Sequence, residues 1–280
     1  MKIGEKEFVT DGSKTYVMGI LNLTPDSFSD GGKYLEKGAL KSAEHLIECG
    51  ADLIDLGAES TRPGASYVDA EEEKRRLLPV IRIIREEFDI PISVDTYKPE
   101  VARAALELGA DLINDVNGLF LPDGSESGMA ELIAESGAPV VIMHNDFEPI
   151  ERSQRKSEPA DIMERVRAGL AKSLNLALER GVKPGQIILD PGIGFGKDTA
   201  ENLGILNRLG ELRDLGYPLL LGASRKRVIG DVLGGNVAER EEGTIVTSIL
   251  AAQTAYSFVR VHNVRSNRRA LDMLAAVKQA

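Results

Sequence analysis

Eight short apolar runs alternate with amphipathic segments along almost the whole chain. The runs fall at 16–21, 52–56, 90–94, 111–116, 139–143, 186–189, 218–221 and 257–261, and the amphipathic segments at 36–49, 70–88, 98–108, 128–136, 161–180, 199–215, 240–256 and 264–278. Short apolar runs bounded by turn residues read as strands buried on both faces. Strict alternation of such strands with helices requires a parallel sheet. Eight such units in about 250 residues is the size of a closed (β/α)8 barrel. A doubly wound open sheet is the alternative, but it would use fewer strands, and no GxGxxG fingerprint is present. The expected fold class is therefore α/β, a single (β/α)8 barrel spanning 1–280 as one domain. Phe8-Val9-Thr10 followed by Asp11-Gly12 carries a hairpin-turn signal. A short β-hairpin is thus predicted over 1–15, placed to cover the barrel bottom.

An internal repeat agrees with this reading. Gly50-Ala-Asp-Leu-Ile-Asp55 closely matches Gly109-Ala-Asp-Leu-Ile-Asn114, two βα units further on. Pro and Gly form no linker, and the most polar stretch, 145–161, reads as an exposed loop leading into a helix.

Composition removes several classes of function. Of 280 residues, 42% are hydrophobic and 28% charged. These are ordinary values for a soluble globular protein. No apolar run is long enough to span a bilayer, and the charged N-terminus does not resemble a signal peptide. Cys49 is the only cysteine, which excludes an intrachain disulfide and fits a reducing, cytoplasmic setting. It reads as a small buried hydrophobe near a helix end. A net charge of −10 argues against nucleic acid as a partner, yet a few focused cations can still build a local anion site.

The polar residues cluster where such a barrel would bind ligands, at the carboxyl ends of its strands. Asn22, Asp55, Asp95, Asn114 and Asp190 each follow an apolar pair at or near the end of a run. Any one of them could be a helix cap. Five together point to a ligand rich in N–H donors, such as an aminopyrimidine edge, or to Mg²⁺, which prefers oxygen ligands. Met18 to Gly32 opens as a strand and continues as a long polar loop, beyond the usual length of a βα turn. The cationic counterpart is Arg62, Lys226, Arg260 and His262, read as a polyphosphate site. Arg260 and His262 share a face of the last strand. The glycine-rich 190–197 stretch lacks P-loop spacing. It reads as a rigid turn that carries Asp190 and offers Phe195 as an apolar wall. His144 is either a ligand contact or a satisfied core histidine, and His45 is read as structural.

Asn22-Leu-Thr-Pro-Asp-Ser-Phe-Ser-Asp-Gly-Gly32, Asp55-Leu-Gly-Ala-Glu-Ser-Thr-Arg-Pro-Gly64, Ser93-Val-Asp-Thr96, Ile113-Asn-Asp-Val116, Asp190-Pro-Gly-Ile-Gly-Phe-Gly196, Gly222-Ala-Ser-Arg-Lys226 and Arg260-Val-His262 stand in order over about 16–275. Together they resemble the dihydropteroate synthase family of pterin-binding barrels. The resemblance implies a transferase of folate biosynthesis and a sulfonamide target. Its reaction joins p-aminobenzoate to dihydropterin pyrophosphate, with Mg²⁺ as cofactor, and releases pyrophosphate and 7,8-dihydropteroate. By resemblance Asp95, Asn114, Asp190 and Lys226 hold the pterin, with Arg260 and Met143 along its faces. Asn22 meets Mg²⁺, and Thr61, Arg62, Arg260 and His262 meet the pyrophosphate. Thr61, Pro63, Phe195, Ser224 and Lys226 border the p-aminobenzoate pocket. The loops after the first two strands are expected to close over substrate.

The reaction would then turn on pyrophosphate departure, with Asp95 and Asp190 stabilising the pterin carbocation and Lys226 and Arg260 serving as further catalytic groups. The family implies a homodimer, and the helical face at 245–255 is a candidate interface. One departure stands out: the strand-five loop reads Asn145-Asp-Phe-Glu-Pro149, where many relatives carry a Met, Gln and Gly run. Two other readings share the pterin barrel. A methyltetrahydrofolate-binding methyltransferase domain would not need the Ser-Arg-Lys and Arg-x-His cations. A non-catalytic paralogue would not need Asn22 and the Thr61–Pro63 set.

Overall fold

A computed structural model describes residues 1–23, 33–60, 66–147 and 161–280. The chain opens with a small antiparallel hairpin, β1 (Lys2–Ile3) and β2 (Lys6–Glu7). The barrel strands are β3 (Tyr16–Asn22), β4 (Leu53–Gly57), β5 (Ile92–Asp95), β6 (Leu112–Asp115), β7 (Val140–Met143), β8 (Ile187–Asp190), β9 (Leu220–Leu221) and β10 (Phe258–Val261). Between and after them come α1 (Lys33–Glu48), α2 (Ala70–Glu87), α3 (Pro99–Glu107), α4 (Met129–Ser136), α5 (Ile162–Glu179), α6 (Thr199–Asn207), α7 (Arg227–Leu233), α8 (Glu241–Gln253) and α9 (Val264–Gln279). All eight barrel strands run parallel in the order β8-β7-β6-β5-β4-β3-β10-β9. The ring closes through a parallel bridge between Leu189 and Leu219, beside a 2.9 Å bond from the Leu189 N–H to the Pro218 carbonyl.

Side-chain alternation along the strands separates two cores. One face of each strand packs on the helices: Val17, Ile54, Val94, Ile113, Val140, Leu189 and Val259 join α-helical residues such as Leu77, Ile81 and Leu170. The other face fills the barrel, with Met18, Leu53, Leu112, Val141, Ile188 and Leu220 in its lower part. The amino-terminal segment plugs the bottom. Phe8 lies edge-on to Tyr16 at 4.8 Å and packs with Phe258 at 5.6 Å, with Ile3 beside them. Aromatic pairs of this kind contribute about 0.5–1.5 kcal/mol beyond their burial.

The hairpin is present, but its turn lies at Gly4 and Glu5 and not at Asp11-Gly12. Gly4 takes a left-handed φ of +59°, the conformation that a two-residue turn needs. Asp11-Gly12 forms a bend instead, with the Asp11 carboxylate accepting the Ser13 N–H at 2.9 Å. The 199–215 segment also differs, breaking at Arg208 into α6 and a 3-10 helix, Leu209–Leu215. The short helix α7 follows β9 where no helix is expected.

The repeat has a physical cause. Gly50 and Gly109 end α1 and the turn after α3 at φ of +94° and +98°, a left-handed stop that glycine adopts without a steric penalty. Asp52 then accepts the Val17 N–H at 2.8 Å and pairs with Arg268. Asp111 does the same, accepting the Ile92 N–H at 2.8 Å and pairing with Arg85. Each aspartate satisfies an N–H at the start of the preceding strand and ties it to a helix.

Candidate active site

Above the apolar lower layer the barrel interior turns polar. Asp55 is wholly buried in mid-barrel, because β4 runs two residues past it. It is therefore not a strand-end group, as its place after Leu53-Ile54 suggests, but an internal counter-charge. Ser93 Oγ donates to its Oδ1 at 2.5 Å and Asn114 Nδ2 to its Oδ2 at 3.3 Å. Arg260 reaches in from β10, with Nε 2.5 Å from Asp55 Oδ2 and Nη2 2.7 Å from Asp95 Oδ2. Burial alone would lower the Arg260 pKa, but Asp55 and Asp95 outweigh it and hold the guanidinium charged. One cation thus orients two carboxylates from neighbouring strands.

Asp95 closes β5 and Asp190 closes β8, across the mouth from one another in the strand order. Burial lifts the Asp95 carboxyl to about 7 against the pull of Arg260. It lifts Asp190 to about 6 against the Gly192 N–H, which donates to Oδ1 at 2.6 Å, and against Lys226. Burial thus disfavours the charged form of both carboxylates, and N–H donors placed against them would favour it. Met143 lies opposite Asp190 in the β7–β8 register. Lys226 Nζ sits 4.1 Å over the Phe195 ring, close enough to favour a cation–π contact. Ser224 Oγ and His262 Nδ1 are 3.0 Å apart, and the Ser224 hydroxyl also accepts the His262 N–H at 3.2 Å. Asn22, Asp95, Asn114, Met143, Asp190, Phe195, Ser224, Lys226, Arg260 and His262 therefore gather at one end of the barrel. Thr61, Arg62 and Pro63 lie outside the described residues.

Oxygen donors suited to a hard cation face the same space. Gly57 ends β4 at the mouth, and a Cβ placed there would lie 3.7 Å from both Asn22 Oδ1 and Asp95 Oδ2. The missing side chain leaves a gap between an amide oxygen and a carboxylate oxygen. Among the described residues no cluster of three or more His, Cys, Asp or Glu side chains could hold a metal unaided. Asp95 Oδ2 already accepts from Arg260 Nη2, so the Asn22 amide oxygen is the group that suits Mg²⁺, a cation that keeps waters and takes other ligands from substrate phosphates.

Other groups support the mouth. Lys98, at the start of α3, donates to Glu59 and Glu73 at 2.5 Å each, and Glu59 Oε1 accepts the Val68 N–H at 3.0 Å. This buried triad ties both ends of the segment after β4. His144 points away from the barrel. It lies under α5, where a Cβ on Gly169 would meet its ring at 2.3 Å, and 3.3 Å from Asp146. It is a core histidine and not a ligand contact. Asn145 Nδ2 donates to the Val116 carbonyl at 3.1 Å, so the departing strand-five loop is anchored to the loop after β6. Cys49 is half-buried just past α1, with His45 Nε2 3.5 Å from its Sγ.

Ser93, Lys98 and Lys197 escape sequence reasoning, and Asp55, read as one of five ligand-facing groups, is instead the buried partner of Arg260. The visible signal for Asp55 is its equivalence to Asn114 in the repeat, and the two side chains do bond each other.

A parallel eight-stranded barrel with two buried carboxylates, an arginine and a lysine at its carboxyl mouth is the architecture of an enzyme that acts on a small molecule. The family model described as pterin binding enzyme matches residues 18–262, and the chain belongs to that family. Within it the chain belongs with the dihydropteroate synthases, which are transferases. It is 48% identical to the dihydropteroate synthase of Clostridium beijerinckii over 98% of this chain and 97% of that one. It is 47% identical to that of Bacillus subtilis over 94% and 89%. The solved dihydropteroate synthase of Clostridium difficile with pteroic acid superposes with a TM-score of 0.88 at 48% identity, covering 96% of this chain and 98% of that one. That of Xanthomonas albilineans with 4-aminobenzoic acid gives 0.87 at 40%, covering 96% and 95%.

Proposed function

We propose that the barrel mouth joins p-aminobenzoate to 6-hydroxymethyl-7,8-dihydropterin pyrophosphate. The observation that carries this reading is the pair of buried carboxylates, Asp95 and Asp190, raised by burial and facing a common lumen beside Arg260 and Lys226. Their oxygens suit the amino and ring N–H groups of a pterin, and Asn114 offers both a donor and an acceptor. Met143 and the Arg260 guanidinium plane flank the ring. Lys226, Arg260 and His262 face the diphosphate, to which the family resemblance also assigns Arg62, and Asn22 would hold Mg²⁺. Bound there, Mg²⁺ would neutralise charge on the diphosphate.

The bond from the pterin methylene to the diphosphate oxygen breaks, and the electron pair leaves with pyrophosphate. Lys226, Arg260 and His262 stabilise the departing anion. Asp95 and Asp190 stabilise the positive charge that develops on the pterin. The aniline nitrogen, held against Phe195 and Ser224 in the pocket also assigned to Thr61 and Pro63, then forms the new carbon–nitrogen bond, and its proton passes to the released pyrophosphate or to solvent. No strong base is needed, since the amine attacks in its neutral form.

The chain acts as one domain in a cytoplasmic setting and assembles as a homodimer. Val232, Leu233, Val246, Met273 and Val277 are exposed on the adjoining helices α7, α8 and α9, an apolar face of the kind that pairs subunits. Light scattering reads the dimer. Turnover of p-aminobenzoate with dihydropterin pyrophosphate and Mg²⁺ tests the activity. A folded protein that binds pterin without forming dihydropteroate refutes it.

A further inference from the structure

The turn after β8 is gripped from two sides by residues that no substrate assignment uses. Lys197 is 3% exposed. Its Nζ donates to the Gly192 and Phe195 carbonyls at 2.9 Å each and to the His144 carbonyl at 3.3 Å. An ammonium has three protons, and here each has a backbone acceptor. Gly192, Gly194 and Gly196 take φ of +68°, +85° and +67°. Glycine reaches these values without a steric penalty, and they fold the turn around the ammonium. From α6, Asn202 Oδ1 accepts the Gly194 N–H at 2.7 Å, while its Nδ2 donates to the Lys197 and Asp198 carbonyls at 3.1 and 2.7 Å.

A lysine is a costly way to fill buried space. Burial pulls its pKa down to about 8 even with Asp146 and Asp190 opposing the shift. An apolar side chain of the same length would fill the volume without that cost, so the ammonium contributes direction more than packing. The segment it directs has one ring at its tip, Phe195, seated 4.1 Å from the Lys226 ammonium.

We propose that Lys197 and Asn202 are positioning residues for the p-aminobenzoate pocket: they hold the 192–197 turn so that the Phe195 ring forms one wall beside Lys226. The proposal rests on the reading of Phe195 as a pocket wall. It assigns no contact between Lys197 and either substrate. Asp190 is set on strand β8 before the turn and meets it only through the Gly192 N–H, so the pterin half of the site should feel the smaller effect.

The test is a cycle of Lys197→Met, Phe195→Leu and the double variant, each checked for folding by circular dichroism and assayed with both substrates. Lys197→Met should raise the KM for p-aminobenzoate roughly tenfold and change that for the pterin pyrophosphate by less than about threefold. The double variant should be no worse than the worse single, because Lys197 acts through Phe195. Equal rises in both KM values, multiplying effects, or no rise in Lys197→Met overturn the proposal. Phe195→Leu alone tests the underlying reading: no change there removes the pocket wall and the proposal with it, whereas a rise there without one in Lys197→Met overturns the positioning role alone. If Lys197→Met does not fold, Asn202→Ala takes its place in the same cycle with the same outcomes.

Discussion

Asp190→Asn should make the protein more stable and less able to bind pterin, both for the same reason. Burial raises the carboxyl from 3.8 to about 6, and each unit corresponds to about 1.4 kcal/mol. Keeping Asp190 ionised therefore costs the folded state about 3 kcal/mol at pH 8 relative to its neutral form. The folded pKa is raised, so the stability tied to this group is complete below the unfolded value near 4 and is lost as pH rises through about 6. An asparagine carries no charge at either end, and its amide oxygen can still accept the Gly192 N–H. The variant should match the parent near pH 4 and exceed it by up to about 3 kcal/mol at pH 8, about 5 °C in a chain of this size.

Pterin binding should move the opposite way. A carboxylate bond from an N–H donor contributes about 1.5–3 kcal/mol when charge-assisted. Losing two such bonds weakens affinity by about 10² or more. Thermal melts at pH 4.5 and pH 8, with calorimetric titration of a pterin, read both quantities. A variant less stable at pH 8, or a difference that does not change with pH, would refute the burial cost. Unchanged pterin affinity would remove the pterin role of Asp190.

Three further outcomes are expected. Pterin binding near pH 6–7 should release protons, because N–H donors pull Asp95 and Asp190 back to their charged forms; affinity should fall below about pH 6, and titrations in buffers of different ionisation enthalpy read the proton count. p-Aminobenzoate should bind more tightly once Mg²⁺-pyrophosphate is present, by about 1–3 kcal/mol, because one ligand fixes the cations and loop residues the other needs; equal affinities in paired titrations would show a preformed pocket. Lys98→Met leaves Glu59 and Glu73 buried without their cation, and should cost about 3–5 kcal/mol in a urea melt.

The architecture was legible because it rests on periodicity, which a sequence displays directly. All eight apolar runs became barrel strands, and the described polar positions other than Asp55 and His144 landed at one mouth because parallel strands all end there. The tighter turn at Gly4 went unread, since Asp11-Gly12 carries the stronger local signal and only packing of Phe8 against Tyr16 and Phe258 decides where the chain must bend. The α7 helix went unread because seven residues give too little periodicity to detect. What sequence conceals most is the pairing of charges within the barrel. Asp55 looked like one of five mouth carboxylates or amides, yet a two-residue difference in where β4 ends places it below the mouth. There it is the fixed partner of Arg260, held by Ser93 and Asn114. That displacement matters chemically. With Asp55 taking one side of the guanidinium, Arg260 is committed to the barrel before substrate arrives, and only the remaining reach toward Asp95 and the lumen is open to a ligand. Burial is what raises the Asp95 carboxyl; Arg260 opposes the rise but is shared with Asp55, whose own charge adds to it.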